Sequence, residues 1–345
     1  MFKSAVNRAI FLALTIFCLV VACSSPQATA PSATAPSATT ASSTAPSTTG
    51  TLAVSVSPWP GYSGDYVAMA KDFYKAEGVD VKESYFQAGS DADTAFLAGR
   101  VDVDWTTGAG LIQMASRDPS IKMIMQIDTS NGSDGILGHN ITKPQDLKGK
   151  KVARENQLFE NILLQSYLEK GGLTLKDVTL IDTPAAAAAA AFIANRVDVA
   201  VTYEPWLTKA GKQGNGAVIF STKGTNIVTD VLVTRTKVIQ EHKPELLAYL
   251  KAVDKAVKLV NSGDQDAIKI VAKKLGVTPE EAKQQISGVK IFDIAENQKV
   301  SFNSSNSQNI LNNLTFSAQV AEQLKNTSKL VNGKAVVDDS LIKSL

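Results

Sequence analysis

Two stretches of this chain end in hydroxyl, carboxylate and aromatic groups after nearly the same phrase. AFLAGRVDV (95–103) runs on into Asp104, Trp105, Thr106, Thr107 and Gly108, and AFIANRVDV (191–199) runs through AVT into Tyr203, Glu204, Pro205 and Trp206. Groups of these types can hold a small solute: hydroxyls and helix N-terminal amides take an anion or polar group, aromatic faces take a flat or cationic one. Catalysis has less to work with. The sequence has no GxSxG and no GK[ST] loop, and its cysteines, Cys18 and Cys23, both lie near the start. His139 and His242 are too far apart to suggest a metal set, so no metal and no cofactor is expected.

The two phrases agree at seven of their nine positions. In each, Ala-Phe-(Leu/Ile)-Ala reads as the end of a helix with its Phe toward the core, Gly99 or Asn195 as the turn, and Val-Asp-Val as the start of a buried strand. In open α/β sheets, ligands sit beyond the carboxyl ends of strands, so function is expected where the copies diverge. The rest of the pattern fits that construction. β-branched runs at 51–57, 79–85, 101–105, 122–128, 150–154, 178–182, 197–203 and 229–235 alternate with helical periodicity, which predicts an α/β fold with mainly parallel strands. After residue 235 the strands thin out and helical runs dominate.

The N-terminus reads as an export device. Lys3 and Arg8 precede an apolar run over 9–22, too short to span a bilayer, and Val20-Val21-Ala22-Cys23 resembles a lipobox in which Cys23 is lipidated. Residues 1–23 are therefore expected to be a lipoprotein signal and 24–50, built from Ala, Pro, Ser and Thr without charge, a disordered linker. Loss of Lys3 and Arg8 from 35 basic and 33 acidic residues leaves the mature chain near neutrality, which gives no support to nucleic-acid binding.

SVSPWPGYSGDYVAMAKDFYKAEGVDV, AGRVDVDW, DLKGKKVAREN and VAVTYEPWLTKA together resemble solute-binding proteins of ABC importers in the nitrate, taurine, aliphatic sulfonate and thiamine-precursor class, over roughly residues 51–260. The resemblance implies a two-lobed periplasmic-binding-protein type II fold with two crossover hinge strands that closes on a small solute. Lobe one would be 51–135 with 230–345, lobe two 136–229, and the crossings would fall near 134–140 and 229–233. It further implies a monomer that works with a permease and an ATPase, lipid-anchored in the cell envelope and facing the periplasm or the extracellular side.

Contacts are then sought after strands. Trp59 and Tyr62 follow the first strand in PWPGY, whose prolines and glycine are expected to present the rings rather than bury them. Phe86 follows the second strand, Thr106 and Thr107 the third; Asp134 sits by the first crossing; Glu155 and Asn156 follow the first strand of lobe two, and Tyr203, Glu204 and Trp206 its repeat strand. Sulfonate or nitrate binding would call for cleft cations, yet these loops carry Asp104, Asp134, Glu155 and Glu204, with Arg154 as the chief basic candidate. That leaves room for an amine, a zwitterion or an uncharged heterocycle beside the sulfonates. Fungal pyrimidine-precursor synthases also look similar, but they need an active-site histidine and a cysteine-rich iron motif that this chain lacks, so binding is preferred to catalysis. A solute-sensing lipoprotein that signals to a receptor is the alternative from another class.

Overall fold

The computed structural model describes residues 50–327 and 329–345. The expected signal segment with Cys23, and the linker up to residue 49, lie outside them, while Gly50, assigned above to the linker, opens the first strand. Eleven strands follow in chain order: β1 (Gly50–Val56), β2 (Val79–Tyr85), β3 (Val103–Thr107), β4 (Ile121–Ser130), β5 (Asp134–Gly138), β6 (Lys151–Arg154), β7 (Thr179–Asp182), β8 (Val199–Tyr203), β9 (Ala217–Ser221), β10 (Thr229–Arg235) and β11 (Val289–Ile291). They form a six-stranded sheet in the order β11-β4-β10-β3-β1-β2 and a five-stranded sheet in the order β7-β6-β8-β5-β9.

The strands are less uniformly parallel than the pattern suggests. β1 runs parallel to β2 and β3, and β6 to β7 and β8, but β10 and β5 run antiparallel to both of their neighbours. The reason is connectivity: a helical crossover returns the chain parallel, whereas β5 and β10 are each entered from the other sheet. The chain passes from β4 to β5 through Asn131, Gly132 and Ser133, and from β9 to β10 through residues 222–228. The two passages are hydrogen-bonded to each other: Ser130 and Thr222 hydroxyls lie 2.7 Å apart, Gly132 N donates to Thr222 Oγ1 at 2.8 Å, and Ser130 N donates to Val228 O at 3.0 Å. Residues 134–138 and 229–233, placed at the crossings by resemblance, lie inside β5 and β10.

The repeated phrase is the same joint built twice. Phe96 and Phe192 are fully buried, and Gly99 (φ 70°) and Asn195 (φ 54°) both take the left-handed conformation that closes the helix. Arg100 N donates to Ala95 O and Arg196 N to Ala191 O, the bond pattern of a Schellman turn in both copies. The aspartate has a job in each: Asp102 Oδ2 accepts from Ala53 N at 2.9 Å and Asp198 Oδ2 from Lys151 N at 2.8 Å, so each carboxylate pins the neighbouring parallel strand in register.

Alternation decides which face of the second sheet each residue serves. Ile136, Val152, Val199 and Val201 point to one core with Leu163 and Leu164, while Leu137, Ala153 and Ala200 face the helix Ala185–Ile193. Alanines on both sides of that second contact let the helix lie close to the sheet. The first sheet packs under the long helix Lys243–Asn261, where Trp105 Nε1 donates to Tyr249 OH at 2.7 Å.

Candidate functional site

The carboxyl ends of β1, β3, β6 and β8 and the starts of β5 and β10 converge on one cavity of about 30 Å³. From the first sheet come Trp59 and Tyr62 after β1, Asp93 on the helix Gly89–Leu97, Trp105, Thr106 and Thr107 at the end of β3, and Asp230 at the start of β10. Asp134, Gln157, Phe159 and Tyr203 come from the second. The space seats a group about the size of a water molecule.

Why the PWPGY turn takes its shape is visible in its bonds. Tyr66 OH accepts from Trp59 N at 3.0 Å and donates to Ser57 O at 2.6 Å, which folds the turn over the end of β1. Trp59 and Tyr62 are not held out into solvent as expected; they are 5% and 4% exposed, because each ring's polar tip meets a buried carboxylate. Trp59 Nε1 donates to Asp128 Oδ2 at 2.8 Å, and Tyr62 OH donates to Asp230 Oδ1 at 2.8 Å. One ring contact joins the two sides, Trp59 meeting Tyr203 edge-on at 6.0 Å; on their own sides Phe159 lies 6.0 Å from Tyr203 and Tyr62 meets Trp105 at 5.2 Å. Glu155 ties the sheets as well, accepting from Ser90 N at 2.9 Å with Oε1 and from Tyr203 OH at 3.3 Å with Oε2.

The electrostatics are one-sided. Burial raises the carboxyls of Asp93 to about 6, Asp134 to about 7 and Asp128 to about 8, and pushes Asp104, Asp230 and Glu160 well above the usual range. Hydrogen-bond donors temper these rises: Thr106 Oγ1 on Asp93 at 2.8 Å, the Trp59 indole on Asp128, the Ser130 hydroxyl near Asp134. Burial also lifts the Tyr62 and Tyr203 hydroxyls far above 10, so both remain donors at neutral pH. Oδ2 of Asp134, Oδ2 of Asp230 and Oδ1 of Asp128 are buried and accept from no N–H group, and the Asp128 and Asp230 carboxyls stand close enough to share a proton.

Of the candidates named from sequence, Trp59, Tyr62, Thr106, Thr107, Asp134 and Tyr203 line this cavity, and Glu155 stands directly behind Tyr203. Thr107 spends its hydroxyl on capping the helix Gly108–Ala115, accepting from Gly110 N at 2.8 Å. Phe86, Asn156, Glu204 and Trp206 are not in the lining. Phe86 continues the β1–β2 pairing through its N–H, which donates to Val56 O; Asn156 is exposed and accepts from Arg154. Glu204 accepts from the Thr208 hydroxyl and N–H, fastening the first turn of the helix Trp206–Gln213, and Trp206, the first residue of that helix, packs half-buried against the apolar cores. Arg154 also turns away, held by Asp182 at 3.1 Å and by the Glu155 carbonyl at 3.3 Å, while Asp104 is engaged by the Ser55 hydroxyl at 2.6 Å. Asp93, Asp128, Asp230, Gln157 and Phe159 were not singled out from sequence. Asp128 and Asp230 had a signal: each lies within a strand beside an apolar run, where a carboxylate needs a partner.

Two mixed sheets joined by two bonded passages, with an aromatic and acidic cleft between them, define the periplasmic-binding-protein architecture. The structure superposes on the alkanesulfonate-binding protein from Xanthomonas axonopodis pv. citri bound to MOPS, at a TM-score of 0.72 and 16% identity, covering 84% of this chain and 98% of that one. The chain belongs to the NMT1/THI5 like family, whose sequence model matches residues 59–267. A putative aliphatic sulfonates-binding protein of Bacillus subtilis is 26% identical over 191 residues, 54% of this chain, and the match spans 58% of that relative's length. The fold also carries catalysis: a desulfurization enzyme superposes at a TM-score of 0.62 and 15% identity, covering 85% of this chain and 98% of that one. Among the described residues no helix is long and apolar enough to cross a membrane, and no group of histidine, cysteine, aspartate and glutamate side chains is placed to hold a metal ion.

Proposed function

We propose that this protein is the extracytoplasmic solute-binding component of an ABC importer, closing its two sheets on a small solute and presenting it to a permease and ATPase. The observation that carries the proposal is the meeting of Trp59 and Tyr203, one from each sheet, over a shared cavity whose remaining walls are hydrogen-bonding side chains. Membership of a family with sulfonate-binding relatives supports it. A cavity of about 30 Å³ admits a solute only as the sheets part, and the two passages, each a short non-helical segment, are where such a hinge would bend. In this reading the protein holds its solute and does not convert it: Asp128, Asp230 and Asp93 each commit one carboxyl oxygen to orienting Trp59, Tyr62 and Thr106.

The test is thermal unfolding of the full chain against small solutes of either charge. A solute at about a hundredfold over its dissociation constant stabilises by about 2.7 kcal/mol. The shift is expected to vanish in Trp59→Ala; a solute that shifts both proteins equally binds elsewhere and removes the proposed cleft. Tethering through a lipidated Cys23 belongs to the same proposal. Cys23→Ser is expected to release the protein from the membrane fraction, and a variant that stays there sinks the anchor.

A further inference from the structure

Resting on that solute-binding role, we propose that the solute carries a cationic N–H group, a protonated amine or an amidinium, seated on the carboxylates of Asp134 and Asp230 within the walls of Trp59, Tyr62 and Tyr203. The sign of the site is the first argument. Asp93, Asp134 and Asp230 line the cavity, and no lysine, arginine or histidine does. Arg154, the cation best placed by sequence, is committed to Asp182. A sulfonate or nitrate in this space would find no counter-charge among the lining side chains, whereas a cation draws the buried Asp134 and Asp230 carboxyls into their ionised form and pairs with them.

The second argument is hydrogen-bonding capacity. Asp134 and Asp230 are 2% and 3% exposed, and Oδ2 of each accepts no hydrogen bond from an N–H group; Asp230 stands carboxyl to carboxyl with Asp128, and Asp134 lies beside the Ser130 hydroxyl. A buried carboxylate oxygen left so is costly unless something donates to it. The other half of Asp230 is fixed by Tyr62 OH, and the neighbouring Asp128 by the Trp59 indole, so the free lone pairs are oriented in advance of any ligand. Ammonium and amidinium groups bring several N–H donors; a quaternary ammonium brings none and would leave these oxygens unsatisfied. The rings add the rest. Trp59, Tyr62 and Tyr203 line the same cavity, and an aromatic face turned toward a cation stabilises it. The cavity as it stands matches an ammonium head group, and a larger amidinium enters only as the sheets part, so the remainder of the solute lies outside it.

The experiment is calorimetric titration of the full chain with 1-aminopropane, 1,4-diaminobutane and guanidinium as N–H cations, tetramethylammonium as a cation without donors, taurine, ethanesulfonate and nitrate, and 1-propanol as a neutral shape. An N–H cation is expected to bind at least about 100-fold more tightly than the anions and tetramethylammonium. Asp134→Asn and Asp230→Asn are expected to weaken that binding by more than about 30-fold, with native circular dichroism, while Glu204→Gln, outside the cleft, leaves it unchanged. Tighter binding of ethanesulfonate, taurine or nitrate overturns the cation and leaves the solute-binding role standing, provided Trp59→Ala abolishes it. Cation binding indifferent to both asparagine variants overturns the assignment of these carboxylates. Silence of the folded protein toward every probe overturns the inference and the role together.

Discussion

Thermal unfolding of the solute-free protein is expected to occur at progressively lower temperature as pH rises from about 5 to about 8.5, and Asp134→Asn is expected to flatten that decline. The cause is the cleft. Asp93, Asp134 and Asp128 hold their protons in the folded chain to about 6, 7 and 8, chiefly through burial, whereas the unfolded chain releases them near 3.8. Between those limits the folded state binds more protons than the unfolded state, so stability is fully present below about pH 4 and is lost as pH climbs through the folded values. For Asp134 alone the displacement from 3.8 to about 7 corresponds to about 4 kcal/mol. Asp128, Asp134 and Asp230 influence one another, so their protons leave in steps that belong to the group.

Surface carboxylates do not mask the trend. Asp80, Asp118, Asp146, Asp177 and Glu281 are held below their usual range by hydrogen bonds, which at Asp118 outweigh an opposing effect of burial with help from Arg235, and the stability they add is lost only as pH falls below about 4. At pH about 8 the Asp134→Asn protein should therefore be more stable than the parent, since it no longer carries a buried charge without a partner. A melting temperature constant from pH 5 to 8.5, or a variant whose curve runs parallel to the parent's, would falsify the account of these carboxylates. The same physics sets the price of an acidic binding site: the cleft is destabilising until its solute arrives.

How much of this was legible in the sequence depended on whether the signal was local. The repeated phrase was, because Phe96 and Phe192, the left-handed Gly99 and Asn195, and the strand that follows are all decided within nine residues. The apolar strands from β1 to β4 were likewise readable from β-branched runs. β5 was not: DGILG contains two glycines and no alternation, and it is a strand because β8 and β9 flank it. β9, AVIFS, is a short apolar run without alternation and β11 is three residues long, so neither has the length to mark a strand by its period. The direction of β10 escaped for a related reason, being set by a passage between sheets and not by its own residues. In the cleft, position after a strand found Trp59, Tyr62, Thr106 and Tyr203 but could not tell inward from outward, so Glu204 and Trp206 were drawn in with Tyr203. Asp128 and Asp230 meet the turn residues Trp59 and Tyr62 across 69 and 168 positions of chain, a distance that composition cannot bridge.

The strictest single-residue test of the cleft falls on a residue with no side chain. Gly61 is buried in the one-turn helix Pro60–Tyr62, and a Cβ placed on it would run into the Asp128 carboxylate and come within 2.5 Å of Trp59 Nε1. Those two groups are partners in one hydrogen bond, so Gly61→Ala drives a methyl into its centre. Neither partner has room to retreat: Asp128 is on β4 inside the sheet, and the Trp59 ring is backed by Tyr203. Overpacking costs roughly 1–3 kcal/mol, and an orphaned buried donor and acceptor add a similar amount, giving an expected loss of about 3–5 kcal/mol. Solute binding should fall with it by more than about 100-fold, because Trp59 and the carboxylates it orients are displaced together. Gly99→Ala supplies the contrast, since a Cβ there meets nothing within 4 Å and only the φ of 70° is strained, for about 1 kcal/mol and no change in binding. Because the clash is with Asp128, adding Asp128→Ala to Gly61→Ala should recover part of the stability that the glycine change alone removes. A Gly61→Ala protein that melts with the parent and binds solute within about threefold of it would show that the Trp59–Asp128 pair is not what shapes this cleft.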